Sequence, residues 1–284
     1  MKGGTIMSYK IIGDSSTDLN QELKEKGNFA LVPLTLQIDD EEIIDDEEFN
    51  QAYMLEKVRN SKGVLKSACP SPEAFMEHFD EGDDIFVITL SSQLSGSYNS
   101  AELAKNIYLE EHPKKNILII DSKSASIGQT LLARQLKEWL DSGMEFEEVR
   151  EHILQYREEL NTKFVLESLE VFRRNGRLST MKAVLCETLN IKAVMTALPD
   201  GSIDKADQAR GMKKAIEKMA AAIAKDAIKP EERILGLAHC NNYERALYAK
   251  KLIMEKVKFK DVIIADTRGI SSLYANDGGV IAAY

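Results

Sequence analysis

The sequence predicts an α/β fold: a mainly parallel sheet covered by helices on both faces, followed by a second α/β domain. Three apolar runs, Tyr9–Gly13, Ile85–Leu90 and Asn116–Ile120, are separated from one another by helical patterns. Strands of a parallel sheet are buried on both faces and therefore read as unbroken apolar runs. The length of 284 residues is sufficient for two domains.

The rest of the first half completes this alternating pattern. Ser71 and Pro72 together are typical of a helix start, because serine caps the free amides and proline fits the first helical position. The sequence predicts one further strand and five helices, over Ala30–Ile38, Glu48–Asn60, the segment from Ser71, Ser97–Glu110, Gly128–Leu140 and Glu145–Glu159.

The pattern of predicted strands and helices changes in the second half, so we expect a domain boundary near Asn161 that divides the chain into residues 1–160 and 161–284. Asp200 and Gly201 are typical of a hairpin turn. The predicted strands are Phe164–Leu166, Ile191–Thr196, Ser202–Ala206, Arg233–Ala238 and Val262–Ala265, and the predicted helices are Met212–Ile228 and Tyr243–Val257.

Composition excludes several classes of protein. The net charge of −9 argues against nucleic acid or an anionic membrane as the main partner. No apolar run approaches the roughly 18 residues that span a bilayer, and residues 1–7 lack the pattern of a signal peptide. Cys69, Cys186 and Cys240 are odd in number and widely spaced, which fits neither a disulfide framework nor a zinc site. We therefore expect a cytoplasmic protein without a metal.

The most acidic segment is Asp39–Glu48, where eight of ten residues are acids. A run of like charge is usually a solvated loop or hairpin, and that is our expectation here. A metal site would require these carboxylates to converge, which the sequence does not indicate.

Hydroxyl-rich segments follow three of the predicted strands: Asp14–Asp18, Ser91–Tyr98 and Asp121–Ser126. Ligands of open parallel sheets bind beyond the carboxyl ends of the strands, where these segments would meet. Helix capping explains one or two serines in each segment but not four in the second. The helix that follows Ser91–Tyr98 would direct free amides at the same space, which predicts a site for an anion.

Enzymatic alternatives find little support in the motifs. A hydrolase would use a serine elbow of the Gly-x-Ser-x-Gly type with a histidine partner, and the elbow is absent. Asp14 and Asp18 are four positions apart rather than two, which does not fit a phosphatase. Neither a Walker loop nor a dinucleotide fingerprint is present. The histidines, which follow no triad pattern, are His78, His112, His152 and His239.

Positive charge is concentrated in Arg173–Ser179, around a glycine turn. The segment reads either as a solvated turn or as a source of charge-assisted hydrogen bonds to a carboxylate or phosphate.

At these residues the chain resembles the DegV family, which includes the fatty-acid-binding subunits of bacterial fatty acid kinase. Each matching segment is weak alone, but their order and spacing together are specific. They are Asp14–Leu19, Val32–Leu34, Lys66–Pro72, Ser91–Tyr98, Asp121–Ser126 and Asn175–Ser179.

The resemblance implies a lipid-binding protein rather than an enzyme, with no cofactor and a palmitate- or stearate-like fatty acid buried between two domains. It places the carboxylate at Ser67, Ser95, Gly96 and Ser97. Ser67 keeps a hydroxyl where the family has threonine, and Cys69 replaces a glutamine. We expect two arginines to serve the head group and a kinase partner, respectively Arg177 and Arg210.

The clearest departure from the family lies near the C-terminus. Where the family has His-Thr-Gly-Pro-Gly, this chain has Tyr274 in place of the histidine and Asn276 in place of a glycine. The family links that histidine to passing the head group to the kinase, so the change bears on phosphorylation more than on lipid binding. We expect Tyr274 to be among the lipid-binding residues. Two alternatives stay open: a binding module for another anionic lipid, reached through the changed C-terminal loop, and a hydrolase or phosphotransferase that uses the serine-rich loops.

Overall fold

The computed structural model describes residues 8–18, 23, 27–178 and 190–284. Its strands form three sheets of four, six and three strands. In chain order they are β1 Tyr9–Asp14, β2 Phe29–Val32, β3 Thr35–Ile38, β4 Glu41–Ile44, β5 Leu65–Ala68, β6 Asp84–Thr89, β7 Asn116–Asp121, β8 Thr162–Val165, β9 Ile191–Ala197, β10 Ile203–Arg210, β11 Ile234–His239, β12 Asp261–Asp266 and β13 Val280–Ala283.

The α-helices of the described residues pack around these sheets. They are α1 Gln51–Asn60, α2 Pro72–Met76, α3 Ser97–Glu111, α4 Ile127–Asp141, α5 Phe146–Glu159, α6 Glu170–Arg174, α7 Met212–Asp226, α8 Tyr243–Met254 and α9 Gly269–Ala275. Among them, none combines the length and apolar character needed to cross a bilayer.

The first sheet is parallel throughout, in the order β2-β1-β6-β7. Successive side chains of β6 face opposite helix layers, as the period of a strand requires. Phe86 and Ile88 pack with α4 and α5, whereas Ile85 and Val87 pack with α2 and α3. The predicted parallel sheet with helices on both faces is therefore confirmed.

The second sheet is mixed, in the order β10-β9-β8-β13-β11-β12. The last strand of the chain, β13, lies antiparallel between β8 and β11. Helices α7 and α8 pack with this sheet through one apolar cluster. Helix α4 contacts the second sheet through a separate apolar cluster, in which Ile127 and Leu131 pack with Ala238 and Ala283. Because α4 also contacts β1 and β6, one helix joins both sheets.

The third sheet, β4-β3-β5, corrects the prediction of one strand over Ala30–Ile38. Val32 pairs with Asp14 in the first sheet, whereas Thr35 onward pairs with β4 and β5. Pro33 separates the two strands because it has no amide hydrogen to continue a ladder. The chain therefore changes sheets at this proline.

The acidic segment forms a hairpin, as one alternative expected, because β4 pairs antiparallel with β3. It is not solvated throughout, however. Asp45 follows β4 with 0% of its surface exposed, and its carboxylate accepts the N–H groups of Gly269 and Ile270, both at 2.9 Å. The expectation of a wholly solvated acidic run is therefore wrong at Asp45, which caps the start of α9.

The predicted turn at Asp200 and Gly201 joins β9 to β10, and Gly201 has the positive φ of +88° that this turn requires. The sequence did not indicate β5, β13, α6 or α9, which are short. Several predictions fall outside the described residues, namely those on residues 1–7, Leu19, Ser179 and Cys186.

Candidate functional site

A cavity of about 820 Å³, including the space at its mouth, lies where the carboxyl ends of the first sheet meet the other two sheets. Most of its wall is apolar. The apolar side chains come from strands of the second sheet, from α6 and α9, and from loops that follow strands of the first and second sheets. They are Leu34, Leu90, Leu94, Ala125, Phe164, Leu166, Phe172, Ala197, Ile203, Ile270, Ala275 and Ile281.

Three aromatic rings form one side of the cavity. Phe172 on α6 stacks on Phe164 of β8 at 6.0 Å between ring centroids, and it meets the ring of Tyr274 on α9 edge-on at 4.7 Å. The sequence places these residues on three separate elements, so the wall exists only in the folded chain.

Hydroxyl groups lie at the mouth of the cavity, where Ser67 and Ser95 are only partly buried. Ser95 Oγ accepts the N–H of Ser97 at 3.2 Å, and its own O–H has no acceptor among the described residues. The Ser67 hydroxyl likewise has no hydrogen-bond partner within the described part of the chain. Two hydroxyl donors are thus available at the mouth.

The start of α3 adds backbone amides to this mouth. Gly96 is the N-cap of α3 and provides no side-chain hydrogen bond to the helix. A Cβ at this position would lie 3.1 Å from Cys69 Sγ, so a glycine suits the close approach of the two segments. The N–H of Ser97 donates to Ser95 Oγ, and the remaining free amides in the first turn of this fifteen-residue helix favour an anion.

Arg177 borders the mouth and is exposed. Its Nε donates to the carbonyl of Leu94 at 2.9 Å, and a second guanidinium nitrogen donates to the carbonyl of Asn175. Backbone contacts therefore hold this positive charge beside Leu94, next to Ser95.

A separate group of hydroxyls lines the interior of the cavity. Ser16, Ser126 and Ser271 are 2%, 1% and 7% exposed, respectively. The Ser126 hydroxyl donates to Asp18, and its backbone N–H donates to Ser16 Oγ at 3.3 Å. The Ser271 hydroxyl donates to the carbonyl of Ser16 at 3.4 Å. These three residues are referred to below as the inner hydroxyl cluster.

Three buried aspartates lie behind these loops. Asp14 accepts the N–H of Leu90 at 2.8 Å, the Ser97 hydroxyl at 2.6 Å and the Gln129 amide at 2.8 Å. Burial raises the pKa of Asp14, and these donors oppose that effect. The carboxylate therefore joins the ends of β1 and β6 to α4.

Asp18 and Asp45 lie close enough for their charges to interact. Asp18 accepts the N–H of Arg268 at 2.7 Å, immediately before α9, while Asp45 accepts the next two amides. Burial raises the pKa of Asp18 to about 7, and the charge of Asp45 contributes to the increase. Burial also raises the pKa of Asp45.

Comparisons with known proteins identify the family and the fold of the chain. The family model described as "uncharacterised protein, DegV family" matches residues 8–283. The chain belongs to the DegV family. A DegV domain-containing protein of Streptococcus gordonii is 37% identical over 281 residues, which cover 98% of this chain and 99% of that one.

Two solved DegV structures share the fold over almost their whole length. A DegV-family protein from Ruminococcus gnavus, described with vaccenic acid, is 45% identical with a TM-score of 0.95 and covers 98% of this chain and 99% of its own. The fatty acid kinase B3 protein of Streptococcus pneumoniae, loaded with linoleic acid, is 36% identical with a TM-score of 0.91 and the same coverage.

The structure brings together most of the site residues predicted for this DegV protein. Ser67, Ser95, Arg177 and Tyr274 all line the cavity, and Gly96 lies beside Ser95. Ser97 is placed differently: it is not among the described residues that line the cavity, and its hydroxyl donates to Asp14.

Arg210 is likewise absent from the described residues of the cavity wall. It is the last residue of β10 and is exposed. None of the four histidines lines the cavity, and the described residues contain no group of side chains that could hold a metal.

Sequence reasoning missed the inner hydroxyl cluster as a distinct feature, together with the two phenylalanines of the wall. Ser16 and Ser126 lie in segments that the sequence singled out, but nothing in those segments separated inner from outer hydroxyls. Nothing in the sequence singled out Ser271, Phe164 or Phe172, and only their meeting at the cavity shows their role.

Proposed function

We propose that this protein binds a long-chain fatty acid, with the acyl chain in the apolar interior and the carboxylate at the mouth near Ser67, Ser95 and the amides following Gly96. The observation that carries the proposal is a mainly apolar cavity whose mouth has two hydroxyls without acceptors among the described residues. The related proteins described with vaccenic and linoleic acid support the same ligand class.

The acyl chain provides most of the affinity in this proposal. Burying about 14 methylenes at about 0.8 kcal/mol each gives an upper limit of about 11 kcal/mol. A charge-assisted hydrogen bond contributes about 1.5–3 kcal/mol net. The head-group contacts therefore set the orientation of the lipid, and they prevent the cost of burying a carboxylate without donors.

Arg177 offsets the charge of the carboxylate in this arrangement. Ser97 acts indirectly, since its hydroxyl holds Asp14, which also accepts the N–H of Leu90 at the start of the same loop. Tyr274 packs on Phe172 and closes one side of the cavity, at the position where the family has histidine.

We further propose that the protein works in the cytoplasm and presents the carboxylate to a fatty acid kinase. Arg210 is exposed at the end of β10, where a partner can reach it. The division into residues 1–160 and 161–284 belongs to the same proposal, with the lipid lying between the two units.

Mass spectrometry of lipid extracted from the purified protein tests the binding proposal. We expect a fatty acid in near-stoichiometric amount, and we expect delipidated protein to take up added stearate. The Ser95→Ala variant, purified in parallel, should retain less lipid than wild type. A protein that emerges empty and fails to take up stearate would contradict the proposal.

Coupling to a kinase needs a separate measurement. A fatty acid kinase catalytic subunit, ATP and the stearate-loaded protein should yield acyl phosphate, and Arg210→Ala should reduce the rate without reducing stearate affinity. An Arg210→Ala variant as active as wild type would remove Arg210 from the partner surface.

A further inference from the structure

The inner hydroxyl cluster has no role in binding a plain acyl chain. Methylene groups form no hydrogen bonds, yet Ser16, Ser126 and Ser271 line the same cavity and are almost completely buried. Each hydroxyl has at least one hydrogen-bond partner, but the O–H of Ser16 has no acceptor among the described residues, and a donor left in this way against hydrocarbon is costly. The cluster therefore calls for a ligand group other than methylene.

The hydrogen bonds within the cluster define what that group must offer. The hydroxyl hydrogen of Ser126 is directed at Asp18, and that of Ser271 at the carbonyl of Ser16, so each presents oxygen lone pairs to the cavity. Ser16 Oγ accepts the N–H of Ser126, and the Ser16 O–H has no acceptor among the described residues. One donor and two acceptors are thus available.

A carboxylate does not match this set. Carboxylate oxygens only accept, so they would use the Ser16 hydroxyl alone while facing the lone pairs of Ser126 and Ser271. Asp18 lies directly behind Ser126 and adds negative charge whenever it is ionised. The cluster is therefore unsuited to the head group, which the mouth accommodates better.

A hydroxyl group matches it, because a hydroxyl both accepts and donates. We propose that the inner hydroxyl cluster binds a hydroxyl carried along the acyl chain, so that the protein accepts hydroxylated long-chain fatty acids. This inference rests on the proposed function, since it requires an acyl chain in the cavity. It adds a second polar subsite, in the interior, to the carboxylate subsite at the mouth.

A competition assay with delipidated protein tests the inference. The probes are stearate and a set of mid-chain hydroxystearate positional isomers, each displacing a fluorescent fatty acid. We expect at least one isomer to bind no more weakly than stearate. A cavity without the subsite would bind every isomer roughly 5- to 100-fold more weakly than stearate, because each would bury an unpaired hydroxyl.

Variants connect any preference to the cluster. Ser16→Ala and Ser271→Ala should each weaken the preferred hydroxystearate roughly 5-fold or more relative to stearate, with both ligands measured on the same variant. Ser100→Ala is the matched control, since the Ser100 hydroxyl donates to the carbonyl of Pro70 at 2.6 Å and Ser100 is not among the described lining residues. Saturable binding of stearate also shows that a variant is folded.

The outcomes separate this inference from the proposed function. If stearate binds but every hydroxystearate is much weaker, the inner subsite is disproved and the fatty acid proposal stands. If a preference persists in both Ser16→Ala and Ser271→Ala, other residues recognise the hydroxyl and the assignment is wrong. If neither stearate nor any hydroxystearate binds, both proposals fall together.

Discussion

The mouth of the cavity and the buried aspartates behind it both consist of polar side chains, but they differ in how completely those side chains are hydrogen-bonded. At the mouth, Ser67 and Ser95 keep hydroxyl donors without acceptors among the described residues. Behind it, the carboxylates of Asp14 and Asp45 are buried and each accepts several N–H or O–H groups. The difference indicates that hydroxyls with an unused donor mark the region proposed for the carboxylate, whereas these satisfied carboxylates belong to the framework that positions it.

The largest expected effect concerns the framework. Asp45→Ala would leave the amides of Gly269 and Ile270 without their acceptor, at a position with 0% exposure. We expect a loss of about 2–5 kcal/mol in the free energy of unfolding, measured by urea denaturation. Glu47→Ala, two residues away and exposed, is the control and should change stability by less than about 0.5 kcal/mol. Equal effects of the two substitutions would show that Asp45 does not hold α9.

The second prediction uses the pKa of Asp18, which is raised from 3.8 to about 7 in the folded protein. A raised pKa means that the folded state binds the proton more tightly than the unfolded state. This contribution to stability is therefore fully present below about pH 4 and is lost as the pH rises through 7. The slope reaches at most about 1.4 kcal/mol per pH unit.

Asp18→Asn removes this titration, so the variant should lose less stability than wild type between pH 4 and 7 in urea denaturation. The difference between the two curves is the informative quantity, because burial also raises the pKa of Asp14 and Asp45. Parallel curves for wild type and variant would contradict the role given to Asp18.

The third prediction compares two serines of the same loop, one at the mouth of the cavity and one that contacts a buried aspartate. Ser95→Ala removes a donor at the mouth, so stearate affinity should fall about 10- to 100-fold with little change in stability. Ser97→Ala removes a donor to buried Asp14, so the free energy of unfolding should fall by about 1–3 kcal/mol. Its effect on stearate affinity should be the smaller of the two. A reversed pattern, with Ser97→Ala losing more affinity, would place Ser97 at the carboxylate.

This pair also shows how far sequence alone can reach. The apolar runs of β1, β6 and β7 predicted the parallel sheet because a strand buried on both faces consists almost entirely of apolar residues. The same reasoning placed the serine-rich loop at the sheet edge. It could not separate Ser95 from Ser97, because the direction of each side chain depends on where α3 begins.

The framework was hidden for a related reason. Asp45 reads as one acid in an acidic run, and only the arrival of α9, more than two hundred residues later in the chain, makes it a buried cap. The strand β13 could not be predicted either, because its four residues form a strand by pairing with β8 on one side and β11 on the other. Contacts between distant segments carry no local signal in either case.

The smallest expected effect is that of Arg177→Ala. Arg177 is exposed, so water and salt screen its attraction for the carboxylate, and stearate affinity should fall by no more than about fivefold. Raising the salt concentration should reduce the difference in stearate affinity between variant and wild type, because salt screens an exposed charge.

Arg174→Ala is a matched control, since Arg174 is also exposed but pairs with Glu170 and is not among the described lining residues. An affinity equal to wild type at low salt would show that the site holds the carboxylate without Arg177. In that case the positive potential at the site would come from other groups, namely the free amides at the α3 N-terminus and Lys123 of the cavity wall.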